Sequence, residues 1–315
     1  MVNGLKKYQI KEVSNILKYI VCFDIGGTNV KYAVLNTEGQ IIEKDMFQTN
    51  IYNGNDVLEQ MCHVIEDYKA HFDVVGITIS SPGFVNTKTG TIESGNIIEG
   101  FNGLNIKEYF SQKYNLLVTV ENDANCATIA EHTLGNGKGY ENIVCLTIGT
   151  GVGGGIIINN KIYNGNKFMA GEFGFMFVNG INSFKPEDDI LSNYASTRSL
   201  VEKTTQDLNR PIDGLEIFNL AKSGDAVCQR NIEKFYDHLA MAIYNLCYIL
   251  NPDKVLIGGA VSQQNGLIEA VKKRIDDYTP SFSQKLTDFT QIEKCKYLND
   301  AGLMGSYCNF ITQYR

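Results

Sequence analysis

The chain has no run of lysine or arginine; its 28 basic residues against 35 acidic ones leave a net charge of -7 over 315 residues. A nucleic-acid partner demands a concentrated positive field, so none is expected. No stretch approaches the roughly 20 consecutive apolar residues that a membrane span needs, and no membrane partner is expected. The opening MVNGLKKYQIKEVSNILKYI has neither a continuous apolar run nor a small-residue cleavage site, so it does not read as a secretion signal. The eight cysteines (Cys22, Cys62, Cys126, Cys145, Cys228, Cys247, Cys295 and Cys308) include no CxxC pair. Several sit in apolar runs, as in YIVCFDI and IVCLTI, where buried reduced thiols belong, and a cytoplasmic location is expected. Clustered ligands for a structural zinc are missing. No GxxxxGK followed by Ser or Thr occurs, which excludes a P-loop. The four histidines, His63, His71, His132 and His238, lie outside every glycine-rich or acidic motif. No Ser-His-Asp or Cys-His arrangement can be drawn from their spacing.

What is present is an ordinary globular composition, 43% hydrophobic and 20% charged, long enough for one large or two medium domains. Ile10, Val13, Ile16 and Leu17 fall at helical spacing near the start. YIVCFDI, VKYAVLN and QIIEKDMFQT then alternate with turn residues as a β-meander. Residues 56–72 predict a helix with Leu58, Met61, Ile65, Tyr68 and Phe72 on one face. DVVGITISSPG and LLVTVENDA predict strands. ENIVCLTIGTGVGGGIII repeats the strand, glycine turn, strand order of the first segment. The spacing of Val227, Phe235, Leu239, Ile243, Leu246 and Leu250 predicts a helix over 225–250, ended by Asn251-Pro252. VLIGGA is a further strand, and AGLMGSYCNFITQY predicts a last helix. Two α/β halves of similar topology, with a cleft between them, are the simplest arrangement, and ligands favour such clefts.

Four segments carry chemistry. In Asp24-Ile25-Gly26-Gly27-Thr28-Asn29-Val30-Lys31, two glycines between strands let backbone N–H groups approach phosphate oxygens, and Thr28 adds a hydroxyl. Asp24 could hold Mg²⁺ through water. A plain tight hairpin explains the same residues equally well. The run from Thr147 through Gly149, Thr150, Gly151, Gly153 and Gly155 matches GxGxxG, but it leads into a β-branched run, whereas a dinucleotide site needs a helix there. A phosphate-cradling hairpin fits better. In Glu121-Asn122-Asp123-Ala124-Asn125, a carboxylate at a strand end can take a proton from a substrate hydroxyl, and Asn122 can both donate to and accept from hydroxyls. A helix N-cap is the competing explanation, and both can hold together. Gly171-Glu172-Phe173-Gly174 reads as a loop that holds Glu172 in place, or as a solvated loop carboxylate.

Together these segments resemble the ROK family of sugar kinases and sugar-responsive repressors, over about residues 20–315. DIGGTNVKYAV resembles the first phosphate motif, LTIGTGVGGG the second, and VLIGGAV, with Gly258 and Gly259, the adenosine motif. ENDANC resembles the segment that carries the catalytic base, and SPGFV with GNIIEGFNG the sugar-binding stretch, which includes Gly83. The resemblance implies an α/β, two-lobed actin/hexokinase-like (ribonuclease H-like) fold with a central cleft. It divides the chain into an N-terminal extension at 1–19, a small lobe at 20–122 closed by a C-terminal helix at 300–315, and a large lobe at 123–299. It implies ATP and Mg²⁺, a sugar substrate and a homodimer. Asp123 would take the proton of the sugar 6-hydroxyl; Gly83, Asn122 and Glu172 would help hold the sugar. Asp24, Gly26, Gly27, Thr28, Lys31, Gly149, Thr150, Gly151, Gly153, Gly258 and Gly259 would bind the nucleotide, and lobe closure would exclude water.

The chain departs from zinc-containing members of the family. Phe175 stands where they carry a histidine, residues 176–195 contain no cysteine, and SNYAST (192–197) replaces a later glutamate. No zinc is expected. That histidine and glutamate contact the sugar near C1 and C2, so a changed pocket is implied there. GEFGF and NDAGLMGSYCNF resemble zinc-lacking members, the β-glucoside kinases and some N-acetylmannosamine kinases, and either substrate fits. The rival functions are a sugar-sensing regulator and a non-catalytic sugar-binding protein. About 20 residues before the first strand are too few for a winged helix-turn-helix domain, although IKEVSNILKYI resembles the first helix of one.

Overall fold

The alternation in residues 19–48 becomes three antiparallel strands, β1 (Tyr19–Ile25), β2 (Asn29–Asn36) and β3 (Ile41–Gln48). The computed structural model describes residues 17–180, 185–281 and 283–314. Of the amphipathic segment expected at 1–18, Ile10, Val13 and Ile16 lie outside the described residues, as does most of the extension at 1–19. The strand β3 presents Glu43, Lys44 and Asp45 at the sheet edge, and charge there discourages pairing with another chain.

The chain divides into two compact units. Unit 1 comprises residues up to Ala130 together with Asp300 onward. After the meander come α1 (Gly54–His71), β4 (Val74–Ser81), the hairpin β5 (Phe84–Asn86) with β6 (Thr91–Ser94), α2 (Ile106–Tyr114), β7 (Leu117–Asn122) and α3 (Asp123–Leu134), inside which the division falls. The helix α1 starts where Asn53 accepts a hydrogen bond from the Asp56 N–H, and it buries Leu58, Met61, Ile65 and Tyr68. The sheet order is β3-β2-β1-β4-β7, with β1, β4 and β7 parallel. The strand β4 is buried almost throughout, as the middle of a sheet covered on both faces requires. Phe23, Ile77, Ile79, Met61, Ile65 and Phe110 are fully buried in this core. Each contributes about 1.5–3 kcal/mol by leaving water.

Unit 2 is Glu131–Asn299. It holds β8 (Ile143–Ile148), β9 (Val152–Ile158), β10 (Lys161–Ile162), α4 (Ser192–Ala195), α5 (Thr197–Leu208), α6 (Gly214–Lys222), α7 (Ala226–Leu250), β11 (Lys254–Gly258), α8 (Leu267–Tyr278) and β12 (Gln291–Lys294). Its sheet order, β10-β9-β8-β11-β12, repeats that of unit 1 position for position. The repeat expected from two strand, glycine turn, strand segments therefore extends to the fourth and fifth strands. Asp225 caps α7 through the Cys228 N–H, and Asn251 ends it at φ 44° before Pro252. Phe235, Leu239, Ile243 and Leu246 are buried along its length.

The last helix, α9 (Ala301–Tyr314), returns to unit 1 and packs on β1, β4 and β7. Two glycines permit its approach. A Cβ on Gly76 would fall 2.1 Å from the Phe310 ring, and one on Gly305 would fall 1.8 Å from the Cys126 carbonyl oxygen. All eight cysteines are buried, and none of them is in a disulfide.

Candidate active site

Register places chemistry at the carboxyl ends of the parallel strands in unit 1. Asp24 of β1 pairs across to Lys31 of β2 and to Ser80 of β4, and Ser80 pairs with Glu121 of β7. The row Lys31, Asp24, Ser80, Glu121 therefore crosses the sheet where ligands of open α/β sheets bind. Lys31 Nζ is 3.5 Å from Asp24 Oδ2, and the Ser80 hydroxyl donates to Asp24 Oδ1 at 2.8 Å. On its third side Asp24 meets α9, where a Cβ on Gly302 would fall 2.1 Å from Oδ1.

Gly26, Gly27 and Thr28 form the turn between β1 and β2. The Gly26 N–H donates to the Asn29 carbonyl at 3.0 Å, and the Thr49 hydroxyl donates to the Gly26 carbonyl at 2.7 Å. A Cβ on Gly27 would press on the Ile97 side chain at 2.7 Å, so the glycine lets the 95–103 loop sit close. Beside the turn, Gly27, Thr28, Gln48, Asn50, Tyr52 and Asp56 help line a cavity of about 620 Å³.

Asn122 and Asp123 open α3. Asn122 Oδ1 accepts from the N–H groups of Ala124 and Asn125 at 3.0 and 3.1 Å. The capping alternative thus applies to Asn122. Its amide also donates to the Gly83 carbonyl at 2.9 Å, which ties two expected sugar-binding residues together. Gly83 has φ +93° and its Cβ would meet the Ser94 carbonyl at 2.7 Å. Buried Glu121 accepts from the Asn122 N–H at 2.9 Å and from the Asn125 amide at 3.0 Å.

The Asp123 carboxyl is pushed up to about 6, first by poor hydration of its charge and second by the negative charge of Asp24. The Ala124 N–H, 2.8 Å from Oδ1, pulls the other way. The residue is exposed at its surface, so the hydration loss comes from protein mass around the position and not from a cover over it. The acidity of Asp123 is suited to a base that works near neutral pH.

Unit 2 assembles the remaining candidates. Gly149, Thr150 and Gly151 form the β8–β9 turn, with the Gly149 N–H donating to the Gly151 carbonyl at 2.9 Å and the Thr197 N–H to the Gly149 carbonyl at 2.9 Å. The turn leads into a strand, as the β-branched run required. Gly153 lies within β9 opposite Thr147 and not in the turn itself. Gly258 ends β11 beside Thr147, and Gly259 follows at φ +90° with its Cβ position 1.9 Å from the Ile148 carbonyl oxygen. Glu172 is half-buried after Gly171, whose own Cβ would meet the Gly154 carbonyl at 2.6 Å. Phe175 is 61% exposed.

Ser80, Glu121, Gly302 and Ser192 were not singled out from sequence. The Ser192 hydroxyl accepts from the Val152 N–H at 3.0 Å and so anchors the glycine hairpin. Only strand register and the return of α9 bring Ser80, Glu121 and Gly302 to the row around Asp24, and only the folding of unit 2 brings Ser192 to its glycine hairpin; the one local signal was Ser80 at the end of an apolar strand. The histidines lie on helices: His71 and His238 bond to backbone carbonyls of their own helices, and His132 to Asn160.

The pattern of the ROK family matches residues 20–312. The beta-glucoside kinase of Listeria monocytogenes is 36% identical over 297 residues, covering 93% of this chain and 98% of that protein. A solved Listeria monocytogenes structure, a proposed N-acetylmannosamine kinase, superposes with a TM-score of 0.87 at 36% identity, covering 94% of this chain and 100% of that one. The ROK family glucokinase of Streptomyces griseus, solved with glucose and AMPPNP, gives a TM-score of 0.78 at 26% identity over 94% and 99% of the two chains. A match that runs almost end to end, in sequence and in fold, places this chain in the ROK family.

Proposed function

We propose that this chain is an ATP-dependent sugar kinase that transfers the γ-phosphoryl group to the 6-hydroxyl of a β-glucoside. The observation that carries the reading is Asp123, a carboxylate at the start of α3 whose acidity lies near 6 and whose neighbours Asn122 and Gly83 are fixed by hydrogen bonds. Asp123 would accept the hydroxyl proton as oxygen attacks phosphorus. Asn122, Gly83 and Glu172 would orient the sugar. The Gly26–Thr28 turn, Lys31, Gly149, Thr150, Gly151 and Gly153 would bind phosphate, and Gly258 and Gly259 adenosine. Proton removal here is worth roughly 10²–10⁴-fold, with positioning and charge stabilisation making up the rest.

The donor set at Asp24, with Ser80 and Asp123 near it, consists of oxygens and suits a hard cation. Asp24 would hold Mg²⁺ through water. The ion, bound with the nucleotide, would neutralise charge on the β- and γ-phosphates.

Likeness to the Listeria beta-glucoside kinase and the exposed Phe175, at a position where zinc-containing members carry histidine, support a glycoside and a site without zinc. The likeness to the proposed N-acetylmannosamine kinase favours that sugar as the second reading. The reading includes a homodimer, lobes at 20–122 with 300–315 and at 123–299, and a cytoplasmic location, which eight buried cysteines outside any disulfide support. Among the described residues no helix is long and apolar enough to cross a membrane.

A coupled ATP-turnover screen with Mg²⁺ tests the proposal against cellobiose, N-acetylmannosamine, N-acetylglucosamine, mannose and glucose, with Asp123→Asn in parallel. Turnover best with cellobiose, lost in the variant, is expected. Equal or better turnover of free glucose would overturn the substrate, and sugar binding without turnover would favour a sensor or a binding protein.

A further inference from the structure

A thiol and a primary amine face each other on unit 1, apart from the candidate active site. Cys62 lies in the middle of α1 and Lys113 in the last turn of α2. Lys113 Nζ is 3.1 Å from Cys62 Sγ, and the Tyr109 hydroxyl lies 3.9 Å from the same sulfur. The Tyr114 hydroxyl donates to the Cys62 carbonyl at 3.3 Å and to Glu66 at 3.1 Å, which fixes the backbone beneath the pair. Cys62 is buried at 4% exposure, whereas the lysine side chain is 44% exposed and open to small solutes.

We propose that Cys62 and Lys113 form a modification site, at which a peroxide oxidant joins α1 to α2 through a sulfur–nitrogen bond. The Cys62 sulfur attacks one peroxide oxygen, the O–O bond breaks, the thiol proton passes to the departing oxygen, and sulfenic acid and water result. Lys113 Nζ, after losing a proton to solvent, then attacks the sulfur. The S–O bond breaks, and hydroxide leaves with the second amine proton as water, giving a sulfenamide. Per cross-link, one peroxide is reduced and the thiol–amine pair loses two electrons and two protons. Sulfenic acids condense with a backbone nitrogen in this way, and the Lys113 amine, 3.1 Å from the sulfur, is a stronger nucleophile than an amide. The hydrogen bond to Cys62 holds the Lys113 ammonium's acidity down, raising its pKa. Oxidation converts the thiol to a sulfenic acid, and that restraint on the amine goes with it. The bond would tie α1 to α2, and α2 packs on β7, the strand that ends at Asn122.

The test treats the full-length protein with hydrogen peroxide, followed by alkylation and tryptic digestion without reductant. The expected product is a peptide pair joined through Cys62 and Lys113, about 2 Da lighter than its parts, uncut after Lys113 and released by dithiothreitol. Lys113→Arg keeps the charge but offers no primary amine, so dimedone, which traps sulfenic acids, should label Cys62 there and not in the wild type. Melting curves before treatment should match, which separates the chemistry from misfolding. An unmodified Cys62, a Cys62 carried to sulfinic acid with Lys113 fully cut, or equal dimedone labelling in both proteins would overturn the proposal.

Discussion

Gly302 leaves room for Asp24: a Cβ at this position of α9 would lie 2.1 Å from the carboxylate Oδ1, which the Ser80 hydroxyl holds at 2.8 Å. Gly302→Ala must therefore displace Asp24 or the helix. A misplacement of about 1 Å near the reacting groups costs on the order of 100-fold, so kcat/KM should fall by about that factor. A variant that retains wild-type kcat/KM would show that Asp24 is not held for catalysis.

Asp123 sets the pH dependence expected of the kinase. A base whose acidity lies at about 6 is protonated below that pH, so kcat/KM should fall tenfold per pH unit under it and level off above. Asp24 raises Asp123 by like charge, so Asp24→Asn should move this limb to lower pH. Residual activity suffices to follow the shift. A limb that stays in place, or moves to higher pH, would contradict the coupling.

The same shift bears on stability. The folded Asp123 carboxyl sits at about 6 against an ordinary 3.8, so the fold binds this proton more tightly than the unfolded chain. Stability from this group is present below pH 3.8 and is lost as pH rises through about 6. Asp123→Asn should accordingly melt higher than wild type at pH 7.5 and show a smaller gain at pH 4. Its kcat should drop by roughly 10²–10⁴-fold. Equal melting differences at both pH values would remove the electrostatic explanation.

Two glycines of unit 2 share a positive φ but differ in surroundings. Gly259, at φ +90°, would place a Cβ 1.9 Å from the Ile148 carbonyl, whereas Gly266, at φ +86°, has nothing within 4 Å. Gly266→Ala should cost about 1 kcal/mol, the strain of the left-handed region alone. Gly259→Ala adds a backbone clash and should cost about 3 kcal/mol or more, read from urea midpoints. Similar losses in both would mean that β8 and β11 can part without penalty.

Phe175 tests the substrate. If its exposed ring stacks on the aglycone, Phe175→Ala should raise KM for cellobiose roughly 3- to 10-fold and leave KM for glucose unchanged. An equal change for both sugars would place the ring elsewhere in the reaction.

The strands and their glycine turns were readable because they are local. YIVCFDI and IVCLTI are short apolar runs bounded by glycine, and Asn251-Pro252 can only end a helix. The order DIGGTN, ENDANC, GTGVGGG, VLIGGA marked Asp24, Asp123 and both glycine hairpins, because backbone approach to a ligand restricts residue type along a few consecutive positions. Gly153 shows the limit of that reading: the motif counts it with the turn, but pairing with Thr147 places it in β9.

Sequence alone determined the element order and the family and singled out Asp123 as the proposed base, since each is written in contiguous residues. Only the tertiary structure decided that Ser80 and Glu121 align with Asp24, that Ser192 anchors the β8–β9 hairpin, and that Gly302 arrives at Asp24 from the far end of the chain. Strand register and helix docking fix those neighbours. Both depend on packing between residues far apart in the chain, which local propensity does not encode.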